Sequence, residues 1–228
     1  MADFAFQWDD GNFISPFVAA SEGDMEIFAG WLVARFLTTL TASAPKTAAK
    51  RLEMRLTDLG CGDATAILSL AQYVRKGWRE LATTVEGSSQ SFLHLLVTGV
   101  ELDDALLVKA EDNAAAFATC IASPTSSPVS VETHFVNADI RFADLDVYFP
   151  RHVAIRSSTA SVRAAAPPLT SPPYVLYMYL LPDALEVLLE KLLEVLRRGW
   201  IVASNRWPIP GLDHLLKERA GHVHVYYQ

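Results

Sequence analysis

The sequence predicts an α/β fold: a Rossmann-like three-layer sandwich in which a mostly parallel sheet carries helices on both faces. Two observations carry this. From residue 54 onward, short apolar runs alternate with helix-length amphipathic stretches, and such a βαβ rhythm needs a parallel sheet. The first apolar run then breaks on two glycines, in Arg55-Leu-Thr-Asp-Leu-Gly-Cys-Gly-Asp63, directly before a helix-like segment. A strand that turns on glycines into a helix brings backbone N–H groups close to a ligand at the carboxyl edge of such a sheet.

The elements follow in order. Residues 1–20 read as an irregular lead-in with aromatic anchors Phe4, Phe6, Trp8, Phe13 and Phe17. Met25, Phe28, Trp31, Leu32, Phe36 and Leu40 recur at helical spacing, so a helix is expected from Ser21 to about Ala42, with Ser21 as N-cap and Asp24 near the place of a capping-box acid. Residues 43–50 form a small, basic linker. Strands are expected at Met54–Leu59, Leu93–Glu101, Val129–Val136, Tyr174–Tyr179 and Trp200–Asn205. Helices are expected at Ala64–Leu81, Asp103–Ile121 and Pro182–Arg198, the last opened by its proline. A short loop or helix is expected around Phe142–Tyr148. His222–Tyr227, after Gly221, reads as a last strand that fits an antiparallel edge. Arg151–Pro173, rich in Ser, Ala and Pro, reads as a flexible surface insertion.

Length and composition bound the answer. The 228 residues suit one α/β domain, read as 1–228 with residues 1–50 as a helical cap. With 51% hydrophobic and 20% charged residues the chain is globular. Its net charge of −7 leaves no broad basic field for a phosphate backbone, so no nucleic-acid partner is expected. Cys61 and Cys120 have no metal-ligand spacing, so neither zinc nor a disulfide framework is expected. No stretch reaches the roughly 18 to 20 apolar residues of a membrane span. The opening residues carry Asp3, Asp9 and Asp10 without an early basic residue, which argues for a cytoplasmic protein.

The glycine turn discriminates between ligands. A dinucleotide loop wants a third glycine where Thr65 stands, and a carboxylate at Asp63 repels a pyrophosphate. Asp63 suits a ligand whose near portion is cationic. Asp58-Leu-Gly60-Cys-Gly62-Asp63 resembles motif I of class I S-adenosylmethionine-dependent methyltransferases. Gly99-Val-Glu101, Asn137-Ala-Asp139-Ile140 and Trp200–Ser204 follow in the order that family requires, although Arg198-Gly199 lacks the Pro and second Gly of its "(K/R)PGG" turn.

The resemblance implies a seven-stranded sheet and S-adenosylmethionine as cofactor. It implies Glu101 on the ribose hydroxyls, Asp139 on the adenine amino group and Ile140 on the ring. Asp58, Gly60, Cys61, Gly62, Asp63 and Leu102 complete the set it implies. A carboxylate accepts two hydrogen bonds from a vicinal diol, so Glu101 is chemically apt.

Tyr174-Val-Leu-Tyr-Met-Tyr-Leu-Leu-Pro182 and Gly199-Trp-Ile-Val-Ala-Ser-Asn-Arg-Trp-Pro-Ile-Pro210 further resemble small Dot1-like methyltransferases. That group includes mitochondrial lysine methyltransferases acting on the ATP synthase c subunit, so a mitochondrial setting is implied by resemblance alone. Phe17-Val-Ala-Ala-Ser21 resembles their "FVPT/S" segment, placing Phe17 over the methionine end of the cofactor. Ala64 stands where those relatives usually have Gly, and Cys61 where many have Ser. Ser171-Pro-Pro-Tyr174 looks like the signature of amide-methylating enzymes but precedes the fourth strand instead of following it.

The expected activity is methyl transfer to an amine, the lysine side chain of a protein. Tyr177, Tyr179, Arg206 and Trp207, near the ends of the fourth and fifth strands, are candidates for an acceptor channel, and no residue takes an assigned catalytic role. Fold does not fix substrate. A small-molecule methyltransferase and a cofactor-binding partner subunit without turnover stay open.

Overall fold

The computed structural model describes residues 20–37, 51–84, 92–122, 128–145 and 174–228. The aromatic lead-in with Phe17, the 43–50 linker and the 151–173 insertion lie outside the described residues. Helix α1 (Glu22–Leu32) runs into a π-helical turn, Val33–Leu37. It is followed by β1 (Arg51–Leu59), α2 (Thr65–Thr84), β2 (Phe92–Glu101), α3 (Asp104–Ile121) and β3 (Val129–Asn137). The second half contains β4 (Tyr174–Met178), α4 (Pro182–Val187), α5 (Leu189–Arg197), β5 (Ile201–Asn205), β6 (Leu216–Ala220) and β7 (Val223–Tyr226).

The seven strands form one sheet in the order β3-β2-β1-β4-β5-β7-β6. The first five run parallel, and β7 lies antiparallel between β5 and β6. This is the Rossmann-like arrangement expected. The antiparallel edge is present as a hairpin of two strands, of which sequence reading found one. Leu216-Lys-Glu-Arg-Ala220 alternates partly buried with exposed side chains, and its charges hid it. The expected helix 182–198 is two helices, parted at Leu188, whose backbone keeps a helical φ but brings ψ to −2°.

Each face of the sheet carries its own core. Alternate residues of the central strands (Met54 and Leu56, Leu95 and Val97, Val175 and Tyr177, Ile201 and Ala203) face α1, α2 and α3. On α2 the apolar stripe Ile67, Leu70, Ala71, Val74 and Trp78 is buried against them, at helical spacing. The residues between, such as Leu59, Leu176, Met178 and Val202, face Leu185, Leu188, Leu192 and Leu196 of α4 and α5. Strands buried on both faces read as near-continuous apolar runs, which makes β2, β4 and β5 legible, whereas β1 alternates, with Arg55, Thr57 and Asp58 buried among its apolar residues.

Ser21 stands at the N-cap of α1, but its side chain makes no capping bond. Asp24 is likewise no capping acid: it is 8% exposed and turned toward the C-terminal hairpin. Helix α1 lies across that hairpin. Trp31 Nε1–H donates to Glu218 Oε2 at 2.7 Å, the Tyr227 hydroxyl donates to Glu218 Oε1 at 2.7 Å, and Phe28 stacks on Tyr177.

Candidate functional site

The turn after β1 hangs on the end of β2. Gly60 and Cys61 N–H both donate to the Val100 carbonyl, at 2.9 and 3.1 Å. Three residues of the turn have positive φ: Gly60 at 77°, Gly62 at 56° and Ala64 at 62°. The glycines accept this freely. Ala64 holds a side chain in the left-handed region, which costs roughly 1–2 kcal/mol. Asp63 Oδ1 accepts the Thr65 N–H at 3.0 Å, so this acid caps α2, and Asn113 Nδ2 of α3 donates to the Asp63 carbonyl. Across the turn, a Cβ on Gly99 would stand 2.6 Å from Cys61 Sγ and 2.7 Å from the Phe135 ring. Only glycine lets β2 pass beneath the loop there.

Two carboxylates flank this turn and differ in how they are satisfied. Glu101 accepts from Gly62 N–H at 2.8 Å through Oε2, and from Leu102 and Asp103 N–H at 2.8 and 3.0 Å through Oε1. Three backbone donors therefore fix its orientation, with a lone pair left on Oε2. Asp58 lies in register between Gly99 of β2 and Tyr177 of β4, is 2% exposed, and has no partner for Oδ1. Burial, and then the charge of Glu101, hold its carboxyl well above the usual carboxylate range. Burial likewise pushes the Cys61 thiol far up, helped by Asp58 and Glu101, so Cys61 packs as a neutral thiol.

At the end of β3, Asp139 is wrapped by Arg141. Its Oδ1 accepts Arg141 N–H at 2.9 Å and Nε–H at 3.0 Å, and its Oδ2 accepts Nε–H at 3.0 Å and Nη2–H at 2.5 Å. Burial raises the Asp139 pKa, but the bonds and charge of Arg141, with Lys191, hold it below the usual range. Lys191 of α5 donates to the carbonyls of Ile140, Arg141 and Ala143, clamping this loop against the sheet. Ile140 is 8% exposed and faces the α4 and α5 core.

The ends of β4 and β5 carry the other candidates. Tyr177 is wholly buried under Phe28, and its hydroxyl accepts from Asn205 Nδ2 at 3.0 Å, leaving Asn205 Oδ1 without a partner. Tyr179, Arg206 and Trp207 form the rim. Arg206 Nη1–H reaches the Tyr179 hydroxyl at 3.4 Å, and its guanidinium lies 5.6 Å from the Trp207 ring centroid. Arg206 has a φ of +68° and is, with Ala64, one of two non-glycine residues in the left-handed region among the described residues. Both such residues flank the carboxyl edge of the sheet, where backbone strain is often stored.

Sequence reading thus found the turn, Asp58 and Glu101, which the structure brings together, and missed Asn205, His222, Asp24 and Arg141. An Asn at a strand end carried a signal, because a buried amide needs partners. The Asp24–His222 pair spans 198 residues and had none.

These residues suit a ligand with a cationic end and a ribose. Asp58 presents a buried acceptor that lacks a donor, and Glu101 keeps acceptor capacity beside Gly62. Asp139 suits it less, since Arg141 fills both its oxygens and an adenine amino group would have to displace one of those bonds. Among the described residues no group of three His, Cys, Asp or Glu stands where it could hold a metal ion, and no helix is long and apolar enough to cross a membrane.

No family model and no curated protein matches the sequence. Among solved structures the chain is similar to an RNA methyltransferase from Salinibacter ruber, with 20% identity over 86% of this chain and 87% of that one, at a TM-score of 0.38. A Plasmodium falciparum protein described as a protein-L-isoaspartate O-methyltransferase shares 12% identity over 95% of this chain and 76% of that one, at a TM-score of 0.39. A methyltransferase from Geobacter sulfurreducens shares 13% over 79% and 59%, at 0.34. All three structures contain S-adenosyl-L-homocysteine. At these identities and TM-scores, the fold assignment rests on the strand order of the chain itself.

Proposed function

We propose that this chain is an S-adenosylmethionine-dependent methyltransferase that methylates an amine, the lysine side chain of a protein. The observation that carries the cofactor reading is the Asp58 carboxylate, buried at the glycine turn with Oδ1 unpartnered. An ammonium donor supplies the missing hydrogen bond and offsets the cost of burying its charge. Glu101 would hold one ribose hydroxyl through its remaining lone pair, since three backbone N–H groups already occupy the others, and Gly60, Cys61, Gly62 and Asp63 form the wall beside it. Leu102, Asp139, Ile140 and Phe17 remain with the adenine and methionine ends by resemblance. S-adenosylmethionine supplies, when bound, an electrophilic methyl group on a sulfonium.

The chain's own residues then have to align the acceptor and exclude water. Tyr179 and Trp207 give an aromatic rim, and the fixed positive charge of Arg206 beside them disfavours an ammonium, so the rim selects the neutral amine. Tyr177, beneath them, supports the rim from inside the core.

Thermal unfolding with S-adenosylhomocysteine tests the cofactor. At about a thousand times its Kd, stability should rise by about 4 kcal/mol. No shift with that ligand, together with a shift by a nicotinamide dinucleotide, would sink the reading. Incubation with methyl-labelled cofactor and cell extract tests the acceptor. Label in lysine of proteins is the expected result, and label confined to small molecules or RNA rejects the lysine assignment.

A further inference from the structure

We infer that His222, oriented by Asp24, is the general base that removes the proton from the incoming amine. This rests on the proposed methyl transfer to an amine. His222 occupies the turn of the β6–β7 hairpin at the same edge of the sheet as the candidate channel. Its carbonyl accepts the Arg206 N–H at 2.9 Å, and Arg206 in turn contacts Tyr179 and Trp207. The dyad therefore adjoins the rim where an acceptor would enter.

The geometry is that of a base with an orienter. Asp24 Oδ1 lies 3.0 Å from His222 Nδ1 and also accepts the His222 backbone N–H at 3.3 Å. The Asp24 side chain is 11% exposed while that of His222 is 78% exposed. A carboxylate held on Nδ1 keeps the proton on that nitrogen and leaves Nε2 free as acceptor, pointing away from the acid. The acid is fixed on α1, the helix that also buries Phe28 over Tyr177, so the dyad is built into the fold rather than made by two loose side chains.

An amine offers the step that such a dyad performs. A lysine in water is an ammonium, whose nitrogen has no free electron pair, cannot attack a methyl group and is disfavoured beside Arg206, so it must lose its proton where it enters the rim. The N–H bond breaks with its electron pair left on nitrogen, the proton passes to His222 Nε2, and the imidazolium releases it to bulk water. The charged and titratable groups around His222 are Asp24 of α1, Arg206 after β5, and His224 of β7 with its cross-strand neighbour Arg219. Asp24, 3.0 Å from Nδ1, is the acid that faces the imidazolium formed in the step.

Two measurements test this. In the ligand-free protein, long-range proton–nitrogen NMR should show His222 as the Nδ1–H tautomer, with that preference lost in Asp24→Asn. An Nε2–H tautomer in the wild type overturns the proposal. In the labelled-extract assay, His222→Gln should lower protein labelling at pH 7 by at least 100-fold. It should also make the rate climb about tenfold per pH unit toward pH 9, as solvent takes over deprotonation of an amine whose ordinary pKa is about 10.4. A purely structural latch would give a loss that pH does not recover, and that result overturns the base. The thermal shift with S-adenosylhomocysteine separates the two levels. A retained shift with labelling within threefold of wild type overturns the dyad alone, whereas no shift in the wild type overturns the cofactor reading and the dyad with it.

Discussion

Replacing Asp58 by Asn should stabilise this protein while weakening its ligand site. The amide keeps the shape and removes the charge. Asp58 is 2% exposed, lacks a partner for Oδ1, and is repelled by Glu101, so its folded pKa lies above the unfolded value of about 3.9. A raised folded pKa sets the sign. The stability associated with protonated Asp58 is fully present below about pH 4 and is lost as pH rises through the folded pKa. At ~1.36 kcal/mol per unit, the loss at pH 7 is bounded at about 4 kcal/mol. The amide's own unsatisfied atom returns about 1–3 kcal/mol of that. Asp58→Asn should therefore exceed the wild type at pH 7 by at most about 3 kcal/mol, or about 12 °C in Tm for a chain of this size, and lose the advantage at pH 4. Urea unfolding at pH 4, 5.5 and 7 with an unchanged m-value measures this. In the same assay, S-adenosylhomocysteine at a fixed concentration should stabilise the variant by at least 1.4 kcal/mol less than the wild type, a tenfold loss of affinity. A variant less stable than wild type at pH 7, or equally stabilised at pH 4 and pH 7, would refute the reasoning.

Other outcomes follow from the same geometry. Gly99→Ala should cost about 1–3 kcal/mol, because its Cβ would overlap Cys61 Sγ and the Phe135 ring, and Cys61→Ala in the same chain should recover part of it; calorimetry on both variants decides. Glu101→Gln should weaken S-adenosylhomocysteine binding at least tenfold by isothermal titration, since Gly62, Leu102 and Asp103 N–H lose a charged acceptor; unchanged affinity removes Glu101 from the ribose role. Asp139→Asn should destabilise the protein by about 1–3 kcal/mol at pH 7. The folded pKa of Asp139 is lowered, so its contribution is present above about pH 4 and is lost as pH falls through the folded value; the wild type and variant should converge in acid.

The parallel core was legible because strands buried on both faces are mostly apolar, even where β1 buries Arg55, Thr57 and Asp58, and because each βα turn here is short. What escaped reading was set by contacts distant in sequence. Leu188 fits the apolar period of a single helix, so the break between α4 and α5 left no mark. Lys217, Glu218 and Arg219 look like a solvated loop, and only pairing with β7 makes them a strand. Asp24 has the spacing of a capping acid, yet burial against His222 decides its role. Of the site, the turn and the acids at β1 and β2 could be read, since glycine and carboxylate chemistry is local. The sequence predicts Asp63 facing a ligand; in the structure its Oδ1 accepts the Thr65 N–H at the start of α2. The Arg141 grip on Asp139 had a visible signal, a cation two residues on, but sequence does not say which way a guanidinium turns.

The latch between α1 and the last two strands has a consequence for how the protein is made. Trp31 and Glu218 are separated by 187 residues, and Asp24 and His222 by 198. A ribosome adding roughly 5–20 residues per second leaves α1 waiting on the order of ten seconds or more for its partners to emerge. During that interval Phe28 and Leu32 have no hairpin to dock beside, and closing so long a loop is among the slowest contacts of the fold. Helix α1 can dock on α2 once that helix emerges, since Met25, Phe28 and Leu32 share its core, but its clasp on the hairpin closes last, so nascent chains should gain their final protease resistance at α1 only once β7 has left the exit tunnel.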